Sequence, residues 1–265
     1  PNSDEGIAFV EIDPEKKEIT GYNPVHRIYQ GYGKEAGFSG HFVIQLNEEI
    51  ADYGVWDSTT ITSGRKSAKG QKHAVGAWIK LASDKPGKTL VKVATSFTSI
   101  DNARKNLASE IPEWDFNEVR QASSDTWNQA LGQIAVKGNN EKEMVKFYSA
   151  LYNAHFLPRT FSDVDGSYPR FDGDGQIMKM DHGTYYCDFS QWDTYRAVHP
   201  LFSILNPSRN GDMAHSLVLK GQQGGWLPIF PSWNSYTAAM IGDHCIAMIG
   251  DAIVKDTPGF DYEEA

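Results

Sequence analysis

Up to about residue 100 the apolar side chains of this chain recur at every second position; from Asp101 onward they recur at every third or fourth. A period of two lines one face of a strand and a period near 3.6 lines one stripe of a helix, so the switch divides the chain into a strand-built part and a helix-built part. In the first part Phe38, Phe42, Ile44 and Leu46 fall on alternate or nearly alternate positions, as do Val75, Ala77, Ile79 and Leu81, and then Val91, Val93 and Phe97. Gly, Asn, Asp and Ser clusters separate these runs, which predicts an antiparallel sheet or sandwich. Gly31-Tyr32-Gly33 and Asp84-Lys85-Pro86-Gly87 carry turn chemistry, and the basic run Ser63 to Gly70 reads as a solvated, flexible loop.

Beyond Asp101 the expected helices are separated by long, glycine-rich connections. Asp101 and Pro112 are plausible helix starts, with Phe116, Val119, Trp127, Leu131 and Ile134 holding a stripe as far as Gly138. A second helix is predicted from Asn139 or Asn140 to Pro158, its wide face of Met144, Phe147, Tyr148, Leu151, Tyr152 and His155 read as core. Further helices are predicted over 212–220 and from a cap at Ser235, the latter burying Ile241, Cys245, Met248, Ile249 and Ala252. Asp172-Gly173-Asp174-Gly175 suggests a calcium loop, but a twelve-residue loop from Asp172 would end at Gly183 rather than at a glutamate, so an ordinary turn is expected.

The formal charge of -9 argues against partners bound through nucleic-acid phosphates. No apolar run approaches the length of a membrane span, and the sequence, opening Pro1-Asn2-Ser3-Asp4, shows no signal segment. Cys187 and Cys245 could form one bridge, although their apolar neighbours favour two buried thiols. Ile253-Val254-Lys255 still reads as helix, so the chain is expected to be a piece of a longer polypeptide.

The stretch with the most chemistry runs from Cys187 to Pro207. Ser190 can cap a helix with Asp193 answering three positions on, Pro200 should kink or restart the segment, and Leu201, Ile204 and Leu205 should bury one face. Trp192, Asp193 and Arg196 would then stand in the first turns, within reach of a cavity. A ring that covers C–H faces, a carboxylate that accepts from hydroxyls and a guanidinium that fixes the carboxylate suit a sugar; a core Trp beside an internal ion pair gives the same pattern. Single histidines at His155, His182, His199 and His215 read as satisfied core or surface residues.

The run from Phe189 to Leu201, then Gly225-Trp226-Leu227-Pro228, then Gly242-Asp243-His244, resembles glycoside hydrolase family 92. The likeness extends from Gly37-Phe38-Ser39-Gly40 to Phe260-Asp261-Tyr262. It implies an α+β multidomain fold: an antiparallel β-sandwich of the galactose-mutarotase type over 1–100, a helical linker over 101–138, and over 139–265 the first helices of an (α/α)6 barrel.

The activity implied is that of a segment of an exo-acting, inverting, calcium-dependent α-mannosidase of the α-1,2 type, taking terminal mannose from oligosaccharides or N-glycans. The resemblance points to a bacterial source and a periplasmic or secreted location. It places Trp192, Asp193, Arg196, Asp243 and His244 at the terminal mannose. It assigns no catalytic residue here, since general acid, general base and most Ca2+ ligands are expected in the rest of the polypeptide. Where the family often has arginine after Gly225-Trp226-Leu227-Pro228, this chain has Ile229, which leaves linkage preference unassigned. A non-catalytic carbohydrate-binding module and an (α/α)6 glycosidase or phosphorylase of another class are the competing readings.

Overall fold

A computed structural model describes residues 6–27, 29, 34–71, 74–82, 87–173, 175–261 and 263. The Gly31-Tyr32-Gly33 turn, most of the Asp84 turn, Asp174 and Tyr262 lie outside the described residues. Two compact units are present, and they do not follow chain order: one comprises 1–114, 161–185 and 232–239, the other 115–160, 186–231 and 240–265.

The first unit is a β-sandwich. Strands β1 (Ile7–Asp13), β2 (Glu18–His26), β3 (Glu35–Leu46), β4 (Ile50–Asp57), β5 (Thr60–Ser63), β6 (Ser67–Gln71), β7 (Val75–Leu81) and β8 (Val91–Ser96) form two antiparallel sheets, ordered β6-β1-β2-β3-β8 and β5-β4-β7. Val10, Ile12, Val55 and Ala68 are buried between them, packed against Phe42, Val75, Ala77 and Ile79. Adjacent residues on a strand point to opposite faces, so Val43, next to Phe42, meets Ala103 and Leu107 of helix α1 (Ile100–Glu110) on the other side.

Sequence periodicity misplaced three details here. The run from Ser63 to Gly70 is not a free loop, because β6 pairs along β1 from Ile7↔Gln71 to Glu11↔Ser67. In β8 the alternation is real but its face is inverted: Val91 and Val93 are exposed and Lys92 is buried. The Lys92 ammonium donates to the carbonyls of Ile111 (2.9 Å) and Pro112 (2.8 Å) and lies 4.4 Å from the centre of the Trp114 ring. Helix α1 begins one residue before Asp101, where the Ser99 hydroxyl accepts from the Asn102 amide at 3.0 Å, and Pro112 lies past its end.

The segment 161–185 belongs to this unit through a buried carboxylate. Asp163 accepts hydrogen bonds from Ser96 (2.8 Å), Asn102 (3.1 Å) and Asn106 (2.7 Å), and from the Thr98 hydroxyl. It contains β10 (Ser167–Pro169) paired with β11 (Ile177–Lys179), numbered after the two-residue β9 (Arg159–Thr160). Asp172 forms an ion pair with Arg27 at 3.2 Å, an ordinary structural role for this turn residue. Ser235 caps no helix: residues 232–239 are irregular, pinned by buried Asn234, which accepts from the Tyr185 hydroxyl (2.8 Å) and donates to the Pro169 carbonyl (2.6 Å).

The second unit is helical. Asp115 and Asn140 cap α2 (Phe116–Leu131) and α3 (Glu141–Ala154) by accepting from backbone amides two or three residues on. The apolar face of α3 is not core among the described residues: only Leu151 is buried, while Trp127 of α2 rests on Tyr152 with ring centres 4.3 Å apart. β9 pairs with β12 (Tyr186–Cys187), followed by α4 (Gln191–Thr194), α5 (Val198–Leu205), α6 (Pro207–Gly224) and α7 (His244–Val254).

Pro200 sits in the first turn of α5, where its missing N–H leaves no ladder bond unmade, so it restarts the helix. The buried face of α5 is His199 and Phe202; Ile204 is exposed. Helix α6 is longer than predicted, capped by Asn206 and ended by Gly225 at φ 88°. Its Met213, Ala214, Leu217 and Val218 pack with Phe189, Phe202, Cys245, Met248, Ile249 and Ala252 in one core. Helix α6 passes so close to the Pro258 carbonyl that a Cβ on Gly211 would lie 1.7 Å from that oxygen. Cys187 and Cys245 are buried thiols with no disulfide between them, and burial pushes the Cys245 thiol up to about 12.

Candidate functional site

Two short sequences in the helical unit come together. The first follows β12, where Asp188 turns the chain at φ 63° and its carboxylate pairs with the Arg159 guanidinium. Phe189 and Gln191 are then buried, which anchors the single turn of α4 and leaves Trp192 and Asp193 facing outward. Trp192 is 44% exposed. Ser190 does not cap the backbone as expected; its hydroxyl donates to Asp193 Oδ2 at 2.6 Å, which fixes one carboxylate oxygen and leaves the other toward solvent.

The second sequence is the start of α7. Gly242, at φ 89°, turns the chain into Asp243, which takes the N-cap position without a side-chain cap bond, and His244 opens the helix. The Asp243 carboxylate is exposed and His244 is half-buried. The imidazole stacks on Tyr195 with ring centres 4.3 Å apart and planes 12° from parallel, and the Trp192 ring stands 5.6 Å away at 55°.

Of the five residues named from sequence, Trp192 and His244 are brought into contact. Trp192 and His244 touch through their rings, with the exposed carboxylates of Asp193 and Asp243 next to them in sequence. Arg196 differs. It does not pair with Asp193; its Nε donates to the Tyr195 hydroxyl at 2.6 Å, and its guanidinium carbon lies 5.0 Å from the centre of that ring. Tyr195 itself was missed. The signal was present in its spacing, because Trp192 and Tyr195 are three residues apart and share one face of a helical turn.

Such an arrangement can grip a neutral polyol. The exposed indole offers an apolar face to C–H groups, and two carboxylates offer acceptors to hydroxyls. A groove of about 620 Å³ elsewhere, along α3, is lined by Met144, Val145, Tyr148 and Tyr152 and includes none of the five predicted residues.

The sequence of the strand-built part matches the model of the glycosyl hydrolase family 92 N-terminal domain over residues 2–96, and that of the helix-built part matches the glycosyl hydrolase family 92 catalytic domain over residues 102–265. The chain belongs to glycosyl hydrolase family 92. As a family 92 chain it is similar to a solved inverting mannosidase, BT2199 from Bacteroides thetaiotaomicron, with a TM-score of 0.85 and 25% identity over 98% of this chain and 34% of that one. It is also similar to the family 92 α-mannosidase BT3965 of the same bacterium, solved in complex with mannoimidazole, with a TM-score of 0.84 and 29% identity over 97% of this chain and 33% of the other. An uncharacterized secreted glycosidase of Arthroderma benhamiae is 32% identical over 119 residues, 43% of this chain and 14% of the fungal protein.

The family 92 chain therefore spans about a third of the solved relatives it matches. Their fold agrees with the sandwich and helices described above. No helix among the described residues is long and apolar enough to cross a membrane. Nor does any group of three or more His, Cys, Asp or Glu among them assemble in a way that could hold a metal ion.

Proposed function

We propose that this chain forms the sandwich and first barrel helices of a secreted or periplasmic exo-acting α-mannosidase, which removes terminal α-1,2-linked mannose from oligosaccharides or N-glycans with inversion and in the presence of calcium. The observation that carries the reading is the exposed Trp192 beside His244, with the Asp193 and Asp243 carboxylates facing solvent, all on motifs of family 92. The likeness to an α-mannosidase solved with mannoimidazole supports mannose as the sugar.

In this reading Trp192 covers the C–H face of the terminal mannose, and Asp193 and Asp243 accept from its hydroxyls. Ser190 holds the Asp193 carboxylate in place. Inverting hydrolysis needs an acid and a base roughly 6.5–9.5 Å apart, with a water between base and anomeric carbon. These two groups, and the calcium ligands, are assigned to the remainder of the polypeptide, so the residues described here bind and orient the sugar.

The test is hydrolysis of α-1,2-, α-1,3- and α-1,6-mannobiose by the full-length polypeptide that carries this chain. Mannose release led by the α-1,2 isomer, first seen as the β anomer by proton NMR, and abolished by EDTA until calcium is restored, is expected. Release only with added inorganic phosphate would indicate a phosphorylase and overturn the reading; release undiminished by EDTA would remove calcium from it.

A further inference from the structure

We infer that Tyr195 is the positioning residue that holds both Arg196 and His244 at the mannose site, its hydroxyl serving one and its ring the other. The inference rests on the mannosidase reading and extends it to a residue that touches no sugar. His244 opens α7 with its Nε2 shielded from solvent and without a hydrogen-bond partner, so packing must set the plane of the imidazole. Tyr195 supplies a parallel surface for one face at 4.3 Å, while Trp192 stands at a tilt. On the other side, the hydrogen bond from Arg196 Nε to the Tyr195 hydroxyl, 2.6 Å, fixes an exposed guanidinium that no carboxylate among the described residues pairs with. One side chain therefore ties the Trp192-Asp193 turn to the start of α7.

Two substitutions separate the two tasks. Tyr195→Phe keeps the ring and removes the hydroxyl; Tyr195→Leu removes both. In the full-length polypeptide, Tyr195→Phe is expected to raise KM for α-mannobiose about five-fold, the worth of one ordinary hydrogen bond, with kcat within about two-fold of wild type because the bond is lost equally before and during reaction.

The NMR ring-proton shifts of the His244 imidazole should be unchanged in Tyr195→Phe. Tyr195→Leu should raise KM further, to about twenty-fold, as an aromatic pair is lost as well. It should also move the His244 ring-proton shifts, a change that Phe at this position prevents. Unaltered KM in both variants of an active enzyme would overturn the proposal, as would unmoved His244 ring-proton shifts in Tyr195→Leu. Should the wild type release no mannose, the mannosidase reading fails on its own, and the His244 ring-proton shifts still decide whether Tyr195 holds the ring.

Discussion

The Lys220 ammonium donates a 2.7 Å hydrogen bond to the Tyr186 carbonyl while having no solvent exposure at all. Its charge lies 5.7 Å from the centre of the Phe189 ring. Burial brings its pKa down from 10.5 to about 8, with Cys187, Asp188 and Cys245 opposing. The folded form thus binds its proton less tightly than the unfolded chain does, so the helical unit gains stability as pH rises from about 8 toward 10.5. The full span is worth on the order of 3 kcal/mol. Denaturant unfolding of wild type and Lys220→Met at pH 7 and pH 9 should show a stability rise that the methionine variant lacks. Equal pH responses would show that the buried charge costs nothing.

His199 provides a test at the acid end. It is almost wholly buried, and neither ring nitrogen makes a hydrogen bond of ordinary geometry, although the Asn210 amide lies beside it. The sequence reading of a satisfied histidine is corrected accordingly. Burial lowers its pKa from 6.5 to about 4, against the pull of Asn210 and Asp251. A depressed folded pKa contributes stability that is fully present above 6.5 and lost as pH falls through 4, on the order of 3 kcal/mol. Thermal melts of His199→Leu should be flatter than wild type between pH 6.5 and 4. Parallel curves would place the acid sensitivity elsewhere.

Trp192→Ala should weaken sugar binding without unfolding the protein. With Trp192 already 44% exposed, the fold loses little by its removal, whereas a sugar loses its apolar platform. A central aromatic contact of this type is worth about 2 kcal/mol, or roughly thirty-fold in affinity. Calorimetric titration with methyl α-mannoside, beside a melting curve, checks both halves. A wild-type Kd in the variant would remove Trp192 from the site.

Legibility in the sequence followed the range of the interactions involved. Strand alternation and the switch at Asp101 were readable because they are local, as were the Asn140 cap and the buried Cys245-Met248-Ile249-Ala252 stripe, although Ile241, read as part of that stripe, precedes α7 and is exposed. What depended on distant partners was not. Lys92 turns inward because the carbonyls at Ile111 and Pro112 and the Trp114 ring receive it, and no periodicity announces those. Ser235 looked like a cap, but the neighbouring Asn234 is held by Tyr185 and Pro169 far back in the chain. At the site, the motif residues were legible by type; the Tyr195–His244 stack that joins them across 49 residues of chain was not.

Gly242 tests that join from the backbone side. Its φ of 89° lies in the left-handed region, and a Cβ there would stand 2.8 Å from His244 Nε2 and 3.1 Å from Cε1. An alanine must relieve two conflicts at once, the strained backbone and the imidazole packed against it, so Gly242→Ala should cost about 1–3 kcal/mol. The ring is the softer element. Its displacement should break the near-parallel stack on Tyr195. The expected result is a modest fall in melting temperature together with loss of the upfield ring-current shift that Tyr195 imposes on the His244 protons. Mannoside affinity should fall as well, although residue 242 carries no polar side chain to a sugar. If Gly242→Ala keeps both the ring-current shift and the affinity of wild type, the imidazole is not held by the Gly242 turn, and its place against Tyr195 is not what shapes the site.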